Sequence, residues 1–199
     1  MDDQTSPNGT TILLFHHAQG QTKGFLAFAD WLRAAGHTVH APDLYEGKTF
    51  ATVDEGVAHA QKVGFGEIIR RGVASAESLP RDIVHAGFSL GVLPAQALAQ
   101  TRAGARAAVL FHSCVPPQEF GGWPSGVPLQ IHIMDRDPLA SPPETDLETA
   151  RRLDAELEEA TFFSYPGEQH LFADDSLPSY DADAAAKAEA CVLELLTRI

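Results

Sequence analysis

An α/β fold with a doubly wound, mostly parallel sheet and helices on both faces is the architecture this sequence predicts. Three observations carry the prediction. The first is a set of continuous apolar runs, such as Thr11-Ile12-Leu13-Leu14-Phe15 and Ala107-Ala108-Val109-Leu110-Phe111. They have strand length and no polar alternation, as expected of strands buried on both faces. The second is that these runs alternate with helical stretches from end to end, with no internal repeat and no domain linker. The third is Gly87-Phe88-Ser89-Leu90-Gly91, set between a β-type run from Ile83 to Ala86 and an alanine- and leucine-bearing helical stretch. A serine on a sharp strand-to-helix turn sits in strained backbone with other backbone packed close on both sides, so glycine is the residue that fits at 87 and 91. The turn leaves the Ser89 hydroxyl exposed beside the unpaired amides of the new helix. Pro94 suits that helix's first turn, which needs no donor from it.

The 199 residues are enough for one domain with a real core, and 44% hydrophobic and 21% charged residues is ordinary for a globular chain. A net charge of -13 argues against nucleic acid or an anionic membrane as partner. Two cysteines, Cys114 and Cys191, make a disulfide framework improbable and point to free thiols in a reducing compartment. The start, Met1-Asp2-Asp3-Gln4, is acidic and polar, without the basic and apolar regions of a secretory leader, and no apolar run approaches a membrane span. A cytoplasmic protein, monomeric by default, is expected.

In chain order, residues 1–9 read as a short flexible lead and residues 10–199 as the domain. The strand at 11–15 ends in the loop His16-His17-Ala18-Gln19-Gly20. Phe25, Phe28 and Leu32 follow helical spacing until Gly36 stops the helix. His37 to Ala41 returns to β, closed by Pro42-Asp43. A loop through Gly47 leads to helical material at 52–63, broken by Gly64 and Gly66 and resumed at 67–78. The elbow and its helix run to about Arg102, and the strand 107–111 follows. Residues 114–127, rich in Pro and Gly, read as a long loop of the kind that carries function. Leu129 to Met134 is a strand, 144–159 a helix with Leu147, Ala150, Leu153 and Leu157 inward, Thr161 to Tyr165 a strand, and 182–198 the last helix. Ligands in such sheets sit at the carboxyl ends of the strands, which singles out the loops 16–21, 135–142 and 166–178.

A serine hydroxyl becomes a nucleophile when a base takes its proton, and the base must itself be oriented by a third group. With an elbow of this kind the chain order is nucleophile, acid, base. Of the histidines after Ser89, His132 lies inside a strand and reads as a bonded core residue, and His112 ends a strand near the elbow as a pocket-lining side chain. His170 lies in a loop just past a strand end, the right place for a base. Asp135 and Asp137 both follow the strand 129–134, and either is a candidate acid. The adjacent His16 and His17 have no matching acidic or cysteine spacing, so no metal is expected.

Four stretches add a resemblance. They are Leu14-Phe15-His16-His17-Ala18-Gln19-Gly20, Ala41-Pro42-Asp43-Leu44-Tyr45, Ile131-His132-Ile133-Met134-Asp135-Arg136-Asp137-Pro138 and Tyr165-Pro166-Gly167-Glu168-Gln169-His170-Leu171-Phe172-Ala173, with a Tyr180 segment that also fits. From residue 11 to the last helix the chain resembles the dienelactone hydrolase family of α/β-hydrolases. The resemblance implies that the acid is Asp137, the aspartate directly before proline. It also marks three departures. The family's namesake enzymes carry a cysteine nucleophile where this chain has Ser89, a glutamate in the first loop where it has His17, and a substrate-gripping arginine four residues past the histidine where it has Asp174.

The expected activity is that of a cofactor-free serine hydrolase acting on a small ester or lactone through Ser89, His170 and Asp137 and an acyl-enzyme. The backbone N–H groups of Leu90 and Ala18 are the expected oxyanion donors. His17, Tyr45, Trp123 and Asp174 are the candidate pocket residues, and an Asp174 facing the pocket would favour neutral substrates over carboxylate-bearing ones. The alternatives are a thioesterase or acyltransferase using the same three residues, and a non-catalytic binding protein on the same fold.

Overall fold

The computed structural model describes residues 9–142 and 145–199. Residues 1–8 of the expected flexible lead, and position 144 of the expected fifth helix, lie outside the described residues. Among the described residues, six strands form one sheet: β1 Thr11–Phe15, β2 Thr38–His40, β3 Val84–Phe88, β4 Ala107–Phe111, β5 Leu129–Met134 and β6 Ala160–Tyr165. Their order is β2-β1-β3-β4-β5-β6 and every neighbouring pair is parallel. The helices between and after them are α1 Lys23–Ala34, α2 Val53–Val63, α3 Phe65–Ser75, α4 Val92–Thr101, α5 Asp146–Glu156 and α6 Ala182–Arg198.

Period-two geometry explains why the strands read as unbroken apolar runs. In β1, Leu13 and Phe15 join the core beneath α2, α3, α4 and α5, whereas Ile12 and Leu14 join the core beneath α1 and α6. Both faces of β1 are covered, so its positions are apolar; a fully buried Leu, Ile or Phe contributes ~1.5–3 kcal/mol. The second core is largely aromatic, with Phe28, Phe88 and Phe111 in mutual ring contact and Phe88 stacked on Phe111 at 4.6 Å.

Local chemistry sets the helix ends. Thr22 caps α1 by accepting the Phe25 N–H, and Thr52 with Glu55 forms a reciprocal capping box on α2. Helix α3 stops at Ser75, short of the expected 78, and Ala76, Glu77 and Leu79 continue as tight turns bonded three residues back. Pro80 restricts the residue before it and so forbids a longer helix. Strand β3 reaches Phe88, two residues past the expected end, because Gly87 and Phe88 pair with Leu110 and Phe111. No helix of the described residues is long and apolar enough to cross a membrane.

The chain runs from β1 outward to β2 and then returns to the other side of β1 as β3. That reversal places a crevice above the carboxyl ends of β1 and β3, where the 16–22 loop and Ser89 meet.

Candidate active site

Ser89 follows β3 directly and has φ 48°, a left-handed conformation that costs of order 1–3 kcal/mol in a non-glycine residue and persists only where its surroundings enforce it. The surroundings are backbone. A Cβ on Gly87 would lie 2.2 Å from the Gly91 carbonyl oxygen, and one on Gly91 would lie 2.4 Å from that of Phe15. The elbow is therefore pressed against the end of β1, and both glycines are steric requirements.

Two loops deliver the partners of Ser89. His170 follows β6, and Leu171 beside it takes φ 63°, which turns the chain back toward the sheet. Ser89 Oγ lies 2.8 Å from His170 Nε2, and His170 Nδ1 lies 2.7 Å from Asp137 Oδ2. Asp137 is fully buried, and its other oxygen accepts the Leu139 N–H at 2.9 Å. Of the two candidate aspartates, then, Asp137 is the one that meets His170. Asp135 is exposed, accepts the Gly167 N–H and pairs with Arg136.

A cleft of about 520 Å³ opens from Ser89 and His170. One wall comes from α2 and α3 through Val53, Val57, Gln61 and Phe65, and Leu90 and Leu93 form its floor beside the elbow. Leu139, Ser113 and Asp146 close the other side. The Ser113 hydroxyl donates to Asp146 at 2.5 Å. Among the described lining residues there is no lysine or arginine.

The four expected pocket residues lie elsewhere. His17 and Asp174 are wholly buried and bonded to each other at 2.8 Å. Tyr45 is buried, its ring edge-on to His16 and His59 and its hydroxyl donating to the Gly56 carbonyl, so burial raises its pKa. Trp123 donates its indole N–H to the Val127 carbonyl and packs half-buried on the core. Its loop cannot stand over Ser89, because Gln96 and Gln100 of α4 bind the Val115, Pro117 and Gly122 carbonyls and hold it down. The wall from α2 and α3 escaped the sequence reading, as did Leu139 and Asp146. Ser113, just past the end of β4, was within reach of the strand-end rule.

Leu90 sits in the turn after Ser89, and Ala18 is buried in the loop after β1. The Ala18 loop is gripped from outside: a Cβ on Gly56 of α2 would lie 2.0 Å from the Ala18 carbonyl oxygen. Buried imidazoles stand in and beside the sheet, and His112 backs the site. His112, at φ 69°, packs 5.6 Å from the His170 ring and 4.7 Å from Phe172. Neither of its ring nitrogens has a hydrogen-bond partner among the described residues, and burial holds it well below its ordinary pKa. His132 bonds Tyr165 and Gln130 inside β5, and burial lowers it to about 3. Burial lowers His16 and His85 to about 4 each. His16 is fully used, Nδ1–H donating to the His17 carbonyl and Nε2 accepting the Leu44 N–H.

These four histidines predict an acid-labile fold. Each has a folded pKa below the unfolded value of 6.5, so the unfolded chain binds protons that the native one refuses. Their contribution is intact above pH 6.5 and is lost as pH falls toward 4, at up to ~1.4 kcal/mol per pH unit for each group. Urea midpoints measured at pH 7.5, 6 and 5 should fall steeply below 6.5; a flat series would remove the linkage.

Among solved structures, the chain is similar to the protein m3DLH, with TM-score 0.74 and 18% identity over 100% of this chain and 90% of that one. A dienelactone hydrolase-like promiscuous phosphotriesterase from metagenomic libraries matches at TM-score 0.72 and 17% identity, over 95% of this chain and 86% of that one. The esterase PE8 matches at TM-score 0.58 and 16% identity, over 94% and 92%. No curated protein matches the sequence. These likenesses describe the fold. The model of the dienelactone hydrolase family matches residues 2–199, and the chain therefore belongs to that family, whose members are hydrolases of the α/β-hydrolase type.

Proposed function

We propose that the protein hydrolyses neutral carboxylic esters or lactones through an acyl-enzyme on Ser89. The observation that carries this reading is the unbroken chain of contacts from Ser89 through His170 to buried Asp137, at 2.8 and 2.7 Å, opening into a cleft lined in part by Val53, Val57, Phe65 and three leucines. Ser89 Oγ attacks the carbonyl carbon while its proton passes to His170 Nε2, and Asp137 holds the imidazole with its other proton on Nδ1. The Leu90 and Ala18 backbone N–H groups hold the oxyanion. Collapse expels the alcohol, which takes the proton back from His170; water then attacks the acyl carbon with His170 again as base, and the second collapse breaks the bond to Ser89 Oγ, which regains its proton from His170 as the carboxylic acid leaves.

Asp146 supports the preference for neutral substrates. Its carboxylate accepts the Ser113 hydroxyl in the cleft wall, and among the described lining residues no lysine or arginine stands ready for a substrate carboxylate.

The test is a series of aryl esters and lactones of one shape bearing a neutral, cationic or anionic group, combined with fluorophosphonate labelling of the protein. Turnover is expected in the order neutral or cationic above anionic, with the label on Ser89. A protein that turns over none of them and leaves Ser89 unlabelled would refute the reading. A faster anionic substrate would refute the charge preference alone.

A further inference from the structure

The two positions that depart from the family pattern in the first loop and beyond the histidine are partners of each other. His17 and Asp174 stand 157 residues apart, both at 0% exposure, and meet at 2.8 Å between Nε2 and Oδ2. His17 Nδ1 accepts the Gln19 N–H at 3.2 Å, which places the ring proton on Nε2 and makes Asp174 its acceptor. The Thr22 hydroxyl donates to the same carboxylate oxygen while capping α1. The second oxygen of Asp174 accepts the Ser176 N–H and hydroxyl at 3.0 and 2.7 Å, and Ser176 Oγ accepts the Gly24 N–H at 3.0 Å. The fit is tight, since a Cβ on Gly24 would lie 1.9 Å from Asp174 Oδ1. Burial raises the Asp174 pKa, but the hydrogen bonds from His17, Thr22 and Ser176 outweigh it and leave a net lowering, so the carboxylate is ionised.

Neither side chain is among those lining the cleft. What they join are two loops: residues 16–20, which carry Ala18, and residues 166–178, which carry His170. The geometry points to His17 and Asp174 as a positioning pair that fixes the oxyanion loop against the base loop, and so sets the distance between the Ala18 N–H and His170. This rests on the proposed ester hydrolysis at Ser89. An oxyanion donor or a base displaced by even an ångström loses transition-state contact while substrate binding in the apolar cleft is left alone.

The experiment compares His17→Ala, His17→Gln and Asp174→Asn with the parent, reading kcat and KM for one neutral ester and amide hydrogen exchange in segments 16–22 and 166–178. His17→Ala should lower kcat about 10- to 100-fold with KM within about threefold, because one donor is misplaced rather than removed. His17→Gln should recover most of that loss, since its amide N–H reaches the place of Nε2. Asp174→Asn should show an intermediate loss, because its amide sets a donor against the Ser176 N–H. Exchange should rise about tenfold or more in both segments of His17→Ala. If exchange rises and kcat holds, the pair only stabilises the fold; if neither moves, it does not join the loops. Either result overturns the proposal. Should His17→Ala fail to fold, the Gln and Asn variants give the same two readouts. Loss of the parent's activity in Ser89→Ala separately tests the reading on which this rests, and the exchange measurement needs no turnover.

Discussion

Ser89→Ala is expected to lower kcat for a neutral ester by about 10⁴-fold or more while leaving the protein folded. The hydroxyl bonds His170 at 2.8 Å, and the side chain is part-exposed at the mouth of the cleft, so its removal takes little packing with it. The left-handed backbone at 89 is enforced by Gly87, Gly91 and the end of β1, and alanine experiences the same enforcement as serine. Without the oxygen no acyl-enzyme forms, and what remains is the binding cleft and the oxyanion donors. A folded Ser89→Ala protein within tenfold of the parent would remove this residue from the chemistry.

Asp137→Asn should be nearly as damaging, at about 10³- to 10⁴-fold in kcat, through the tautomer of its neighbour. The carboxylate accepts from His170 Nδ1 at 2.7 Å, which leaves Nε2 free to accept from Ser89. An amide nitrogen in that place donates to Nδ1, moves the ring proton to Nε2 and points a donor at the serine. Asp135→Asn, two residues away, should change kcat by less than about threefold: its carboxylate is exposed, and its contacts are with the Gly167 amide and Arg136 and not with His170. Steady-state kinetics of the two variants side by side decide between the aspartates, and the opposite ranking would dissociate the buried contact from the reaction.

Much of the fold could be read from the chain because buried parallel strands leave so few choices. Leu13 and Phe15 face one layer and Ile12 and Leu14 the other, so β1 is apolar throughout and cannot be mistaken for a half-exposed strand. The elbow was legible for a similar reason, since glycine at 87 and 91 answers to backbone contact and not to taste in side chains. The pocket was not. Its apolar wall is contributed by Val53, Val57 and Phe65, spaced on helices whose packing angle no local pattern encodes. Phe65 is exposed, and in a linear reading it resembles any surface aromatic. Asp174 misled for the opposite reason. Its place four residues past His170 pointed it at the pocket, and nothing local reveals a histidine waiting 157 residues upstream to bury it. Trp123 looked like a pocket wall because its loop follows a strand end, but the glutamine amides of α4 had already claimed that loop's carbonyls.

The cleft wall made by α2 and α3 has an evolutionary consequence. Those helices form a detour between β2 and β3, and their buried residues are few: Gly56 and Ala60 in one, Ile68 and Gly72 in the other. Ser89, Asp137 and His170 instead follow β3, β5 and β6, strands of the sheet that carries both cores. Selection can therefore rewrite Val53, Val57, Gln61 and Phe65 to admit a different acyl or alcohol group with little penalty in folding, while the chemistry stays on the sheet. On the proposed ester-hydrolase reading, the α2–α3 part of the cleft and the Ser89–His170–Asp137 chain lie on separate segments, so a lineage with this layout can reshape that wall without moving those three residues.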